Sequence, residues 1–185
     1  MRVSDVPRYT ASFTPALSFL SDNNTKALWN MSEGSGTAVA DASGNGYYLA
    51  ISGASWVTDV PTGTTSSEGG NALNFDGVDD YIKLPSISNV RSIGFWVNIS
   101  SNNGNNDYLI DARSGLSNGF YHPDGGLGSG WSKLYMNGTE LTNTAFSNLT
   151  KDTWIFIYLE ASEAFSDDIS FMTHSDAVEG GYTSN

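Results

Sequence analysis

TWIFIYLEA, residues 153–161, is the stretch on which the fold turns. In an extended chain Trp154, Phe156 and Tyr158 fall on one side and Ile155, Ile157 and Leu159 on the other, so both faces are apolar. Such a strand is covered on both sides and belongs in the middle of a sheet. Working outward, GFWVNIS at 94–100 places Phe95, Val97 and Ile99 together and turns Trp96, Asn98 and Ser100 away. KLYMNGTEL at 133–141 sets Asn137-Gly138 between two apolar runs, the strongest short-range signal for a type I′ hairpin. Further strands are expected at 2–6, 26–31, 48–57, 72–75, 81–84, 108–112, 119–122 and 168–173. Only ALSFL, 16–20, has a helical composition, and it is too short to matter. Gly-, Asn-, Asp- and Ser-rich turns separate these runs, among them SGNG at 43–46, FDGVDD at 75–80 and HPDGGLGSG at 122–130. The pattern predicts an all-β chain, a two-sheet antiparallel sandwich or jelly roll. Trp29, Phe75, Phe95, Trp154, Phe156 and Ile157 are expected to form the core between its sheets.

At 185 residues the chain is most simply one domain. A domain of that size buries about 70% of its unfolded surface and needs no cross-links. The sequence has no Cys, which excludes thiolate catalysis, thiolate metal sites and a disulfide framework. No run approaches the roughly 18 apolar residues of a membrane span, and a water-soluble chain is expected. The net charge of −12 arises from 20 acidic and 8 scattered basic residues, which argues against nucleic acid as a partner. Charged residues are only 15% of the chain, below the usual quarter or so, and Ser, Thr, Asn and Gly carry the polarity. That surface is typical of secreted or virion all-β proteins. Residues 1–15 carry Asp5, Pro7 and Arg8 where a secretory signal would need an unbroken apolar run.

Four segments taken in order, ALWNMSEGSGTAVADASGNGYY (27–48), NALNFDGVDDYIKLP (71–85), RSIGFWVNIS (91–100) and LTKDTWIFIYLEAS (149–162), resemble the laminin-G-like branch of the concanavalin A-like jelly rolls. The resemblance spans 26 to about 173, so that 26–185 is expected to be the domain and 16–25 a connection into it. It implies two curved antiparallel sheets used chiefly for binding and for building surface structures. Fold alone licenses no function. Residues 1–15, MRVSDVPRYTASFTP, resemble the strand with which domains of this branch close, here displaced to the front of the chain. Arg2, Val3, Val6 and Tyr9 would carry its pairing, with Tyr9 and Phe13 as apolar anchors. Three arrangements are open: closure within the chain beside 27–31, donation of the strand to a neighbouring copy, or a tail belonging to a preceding domain.

Catalysis finds little support. Glycoside hydrolysis needs two carboxylates about 5 to 9.5 Å apart on one face, and no Glu-x-Asp-x-x-Glu spacing occurs. The face expected to be concave carries Trp96, Asn98, Tyr135 and Tyr158 instead. His122 and His174 are the only imidazoles, and no Gly-x-Ser-x-Gly elbow exists. The expectation is no enzyme. Calcium, which takes six to eight oxygens from irregular loops, has two candidate sites: DASGNG with Asp41 and Asn45, and FDGVDD with Asp76, Asp79 and Asp80. One structural Ca²⁺ would then be the cofactor. Asp41 and Asp76 are equally good Asx-turn residues, their side chains bonding local backbone N–H groups. Glycan binding would use exposed aromatic platforms, for which Tyr47, Tyr48, Tyr121 and Trp131 beside Gly-rich loops are the candidates. Aromatics at strand ends also pack as core edge. The Asn-x-Ser/Thr sequences at Asn23, Asn30, Asn98, Asn137 and Asn148 read as incidental in so Ser/Thr-rich a chain. The composition points to a structural or adhesive module of a virion, as phage fibre or capsid decoration, or of a cell surface. Its partners would be other proteins of the assembly or copies of itself, and the alternative is a Ca²⁺-dependent glycan-binding module.

Overall fold

Alternating and two-faced apolar runs become strands throughout the computed structural model, which describes residues 1–61, 70–101, 107–112, 120–121 and 126–174, with residues 107, 108, 120, 121, 173 and 174 as backbone only. In chain order the strands are β1 (Arg2–Ser4), β2 (Thr25–Leu28), β3 (Ala38–Val39), β4 (Leu49–Ser52), β5 (Ser55–Val57), β6 (Ala72–Asn74) and β7 (Tyr81–Lys83). They continue as β8 (Ile87–Asn98), β9 (Asp107–Asp111), β10 (Phe120–Tyr121), β11 (Trp131–Met136), β12 (Thr139–Glu140), β13 (Trp154–Asp167) and β14 (Ser170–His174). A single 3₁₀ turn, Phe146–Asn148, precedes β13 among the described residues. ALSFL is not helical.

Two six-stranded sheets result, in the orders β12-β11-β13-β8-β1-β2 and β10-β9-β14-β7-β4-β3, with β5 and β6 as a separate pair. The chain is all-β, and its two open antiparallel sheets are compatible with a β-sandwich. Their shared core takes Val3, Ile93, Phe95, Val97, Ile155, Ile157 and Leu159 from the first sheet and Val39, Leu49, Ile51, Ile82, Ile110 and Phe171 from the second. The rings of Phe95 and Phe171 meet edge to face across it, with centroids 5.0 Å apart. Each aliphatic side chain fully buried here adds about 1.5–3 kcal/mol.

β13 lies between β11 and β8 and is covered on both faces, as its sequence implies. Which face meets the second sheet differs from expectation. Ile155, Ile157 and Leu159 point to the shared core, whereas Phe156 and Tyr158 join Tyr135 in a second apolar cluster on the opposite face. Trp29, Phe95 and Ile157 are therefore core residues, Phe75 packs at the core margin, and Phe156 and Trp154 are not between the sheets. Alternation fixes which side chains share a face but not which face is inner when both are apolar.

The Asn-Gly turn forms between β11 and β12, with φ of 51° at Asn137 and 81° at Gly138, the left-handed pair that a type I′ hairpin demands. The run 48–57 splits into β4 and β5 at Gly53, whose φ is 76° and where a Cβ would collide with the Asp80 carboxylate. β1 pairs antiparallel with β2, Val3 opposite Ala27, and on its other side with β8, Val3 opposite Ile93. The first strand of the chain thus sits inside a sheet. Among the described residues no helix is long and apolar enough to cross a membrane.

Candidate functional site

After β1 the chain turns over the first sheet's face away from the second and runs along it as a strap, residues 5–20. Tyr9 stacks on Phe13, ring centroids 3.4 Å apart, and meets Tyr158 edge to face at 4.9 Å. Phe13 also lies edge to face with Phe156 at 6.0 Å, and Phe19 packs on Phe156 at 5.7 Å. Polar contacts fix the path. The Arg8 amide donates to the Tyr158 hydroxyl at 2.7 Å, Ser92 Oγ donates to the Val6 carbonyl at 2.7 Å, and the Trp96 indole N–H donates to the Ala16 carbonyl at 3.1 Å. Arg8 forms a two-pronged ion pair with Asp22, whose carboxyl is held well below its ordinary range by those hydrogen bonds. Burial pushes the Tyr158 phenol up. At the hairpin turn the Phe13 amide donates to the Gly138 carbonyl at 3.0 Å, and the Phe13 carbonyl occupies the space a Cβ on residue 138 would need. Gly94 does the same service for the Phe156 ring. Tyr135, Phe156 and Tyr158 are at most 1% exposed as a result. Tyr135 and Tyr158, expected on an open concave face, are covered by the chain's own N-terminal segment.

Of the candidate metal ligands, Asp41 and Asn45 serve the edge strand β2. Asp41 accepts from the backbone N–H of Leu28, Ser43 and Tyr47 at 2.9, 2.8 and 3.0 Å and from the Ser43 hydroxyl at 2.8 Å. Burial opposes ionisation of Asp41, but those donors outweigh it and hold its pKa below the usual carboxylate value. The Asn45 amide donates to the carbonyls of Thr25 and Lys26 at 3.1 and 3.0 Å. Loop 41–45 therefore occupies, with side chains, the hydrogen-bonding groups that β2 would otherwise show to solvent.

Asp76, Asp79 and Asp80 do come together: one carboxylate oxygen of each lies within 4.8 Å of the others. Asp76 also closes an Asx-turn, accepting from the Val78 amide at 2.8 Å, while Asp80 accepts from the Asp76 amide at 2.9 Å. Both turn expectations, at Asp41 and at Asp76, match the geometry. The two acidic loops do not combine into one cluster among the described residues.

The aromatic candidates divide. Tyr48 is 66% exposed, whereas Tyr47 is half-buried against the core and its carbonyl accepts the Trp29 indole N–H. Trp131 is 5% exposed with its ring edge to face on Phe165, so it is core and offers no platform. The Tyr121 side chain and His122 lie outside the described residues. Where the strap ends, at the margin of the same outer face, sequence reasoning missed a groove of about 400 Å³ between Trp96, Asn98, Asp59, Asp152 and Trp154. Its signal was the outward parity of Trp96 and Asn98, but the partner Trp154 is brought opposite Asn98 only by the β13–β8 register. No family model matches the chain, and no curated protein or solved structure matches it either.

Proposed function

We propose that this chain is a non-catalytic jelly-roll module of the laminin-G-like kind, a structural or adhesive unit on the surface of a virion, as fibre or capsid decoration, or of a cell. The observation that carries the reading is the strap: an aromatic sheet face of the sort an enzyme would keep open for substrate is filled by Tyr9, Phe13 and Phe19. Glycoside hydrolysis requires a facing carboxylate pair, and the covered centre of this face presents rings. A module that seals its own face and caps its edge strand is suited to packing beside other assembly proteins or copies of itself. Residues 1–15 then act as the closing strand of the jelly roll, placed first in the sequence, and the same segment is what a neighbouring copy would donate. Antibodies against the chain should label the outside of the native particle or cell in regular array. Label confined to the interior would overturn the proposal.

A second reading, a Ca²⁺-dependent glycan-binding module, is favoured by the convergence of Asp76, Asp79 and Asp80. Calcium there would act on stability, since the three acids lie in a loop with no catalytic partner. Calorimetry should show a higher melting temperature with Ca²⁺ than with chelator, and identical melts exclude the site.

A further inference from the structure

We infer that the first sheet holds an open strand position beside the end of β8, filled by an extended segment of a second protein that carries one apolar residue between two basic ones; this rests on the assembly reading above and gives it a class of partner. β1 reaches β8 only at Ser92, Ile93 and Gly94, whereas β8 runs on to Asn98. On the other side of β1 the Met1 amino group donates to the Trp29 carbonyl at 2.7 Å and the Trp29 amide to the Met1 carbonyl at 2.9 Å. Past Met1 no strand lies between the end of β8 and the run Trp29–Met31 among the described residues. The space belongs to a cavity of about 1070 Å³ walled by Met1, Trp29, Met31, Trp96, Val97 and Asn98 among others. Successive residues of an antiparallel strand turn their backbone groups to opposite neighbours. Phe156, opposite Trp96, spends its N–H and C=O on Asn137 at the β11 side. Those of Trp96, and two residues on those of Asn98, therefore point the other way, into the open position. An unpaired strand edge is a template for another chain, which main-chain hydrogen bonds would hold there.

Side-chain parity selects the partner. A segment in line with β1 runs antiparallel to β8 and sets three residues opposite Trp96, Val97 and Asn98. The middle one shares the parity of Val97 and Met1, both packed with the core, and faces the apolar part of the cavity, which Leu73, Phe75 and Phe171 also line. The flanking two share the outward parity of Trp96 and Asn98, where Asp59 and Asp152 line the groove and, among the described residues, no Lys or Arg does. Apolar in the middle and basic on either side is the complementary pattern. Leu20 and Val78, 85% and 68% exposed, line the same cavity and offer apolar surface for the covering segment to take out of water. A second copy is the wrong occupant. Its charge is −12, and its basic residues, at positions 2, 8, 26, 83, 91, 113, 133 and 151, are nowhere two apart.

The test is a titration of the 185-residue chain with the peptide acetyl-Ser-Thr-Lys-Ile-Lys-amide, followed by isothermal calorimetry and by amide hydrogen exchange. Binding should be saturable with one peptide per chain, and the Trp96 and Asn98 amides should exchange about tenfold more slowly in the complex. Methylating the two Lys amide nitrogens of the peptide, which removes the ladder donors and keeps every side chain, should abolish binding. Asp59→Asn combined with Asp152→Asn, which keeps the acceptor for the Ser101 amide, should weaken binding about threefold with an unchanged melting temperature. Absence of saturable binding up to millimolar peptide overturns the proposal, as does binding that the methylated peptide retains or that leaves both amides unprotected. Equal affinity for the Glu-Ile-Glu counterpart overturns the basic pattern and the partner class with it. Self-association of the chain that the peptide disperses assigns the position to a second copy and also overturns it. Regular surface label without peptide binding defeats the open strand position and leaves the structural role standing, so the two failures are distinguishable.

Discussion

Phe156 shows what a single ring can hold together. It touches Phe13, Phe19 and Trp96, is 1% exposed, and needs the bare Cα of Gly94 beneath it. Phe156→Ala should cost about 3–5 kcal/mol in denaturant unfolding. Because Phe13 is its partner, the double variant with Phe13→Ala should cost measurably less than the sum of the two singles, and additive values would separate the rings. Asp41 sets an acid limit. A carboxyl whose folded pKa is depressed adds stability above its unfolded value, about 4, and loses it as pH falls through the folded value. Stability should decline below about pH 4, and Asp41→Asn should lower the neutral-pH midpoint while flattening that decline. Asp22 contributes in the same window, so the difference between the two pH curves isolates Asp41. Superimposable curves would refute this. At this scale the sequence foretold the Asx-turns and the anchoring rings Tyr9 and Phe13. It did not foretell the inward or outward sense of Phe156, because both faces of its strand are apolar.

Strand existence was legible wherever an apolar run was flanked by turn chemistry, as in β13 and the Asn-Gly hairpin. Strand limits were not: β8 begins at Ile87, through an Asn89 of φ 60° that no propensity would place in a strand, and 48–57 breaks at Gly53. Pairing partners distant in sequence leave still less trace, which is why the groove of Trp96, Asn98 and Trp154 escaped sequence reasoning while the closely spaced Asp76, Asp79 and Asp80 did not. The edge strand β2 yields a prediction of its own. Asn45→Ala would expose the carbonyls of Thr25 and Lys26 on a strand end that is otherwise capped. Sedimentation velocity should show stronger self-association than in the parent chain, with a stability loss of about 1 kcal/mol. An unchanged sedimentation profile would mean that the cap has no such role.

In the molecule as a whole, residues 1–20 act twice, as an interior strand and as the cover of an aromatic face. Deleting residues 1–14 should lower stability by several kcal/mol and raise binding of a hydrophobic dye, since β2 and β8 lose their shared neighbour and Tyr135, Phe156 and Tyr158 lose their lid. A peptide of residues 1–20 added in trans should reverse both effects; a truncated chain as stable and as dye-silent as the parent would contradict the arrangement. The interior position of β1 also imposes an order on biosynthesis. Residues made first need β8 beside them and β13 beneath them, and Tyr158 leaves the ribosome after more than a hundred further residues have been added. At typical elongation rates that interval is roughly 10–30 s; β8 is complete only part-way through it, and the face of β13 only at its end. β1 can pair early with β2, but the strap carrying Tyr9, Phe13 and Phe19 has no sheet face to cover until β13 is made, so the sheet closes from the late end of translation, a long-range and intrinsically slow assembly.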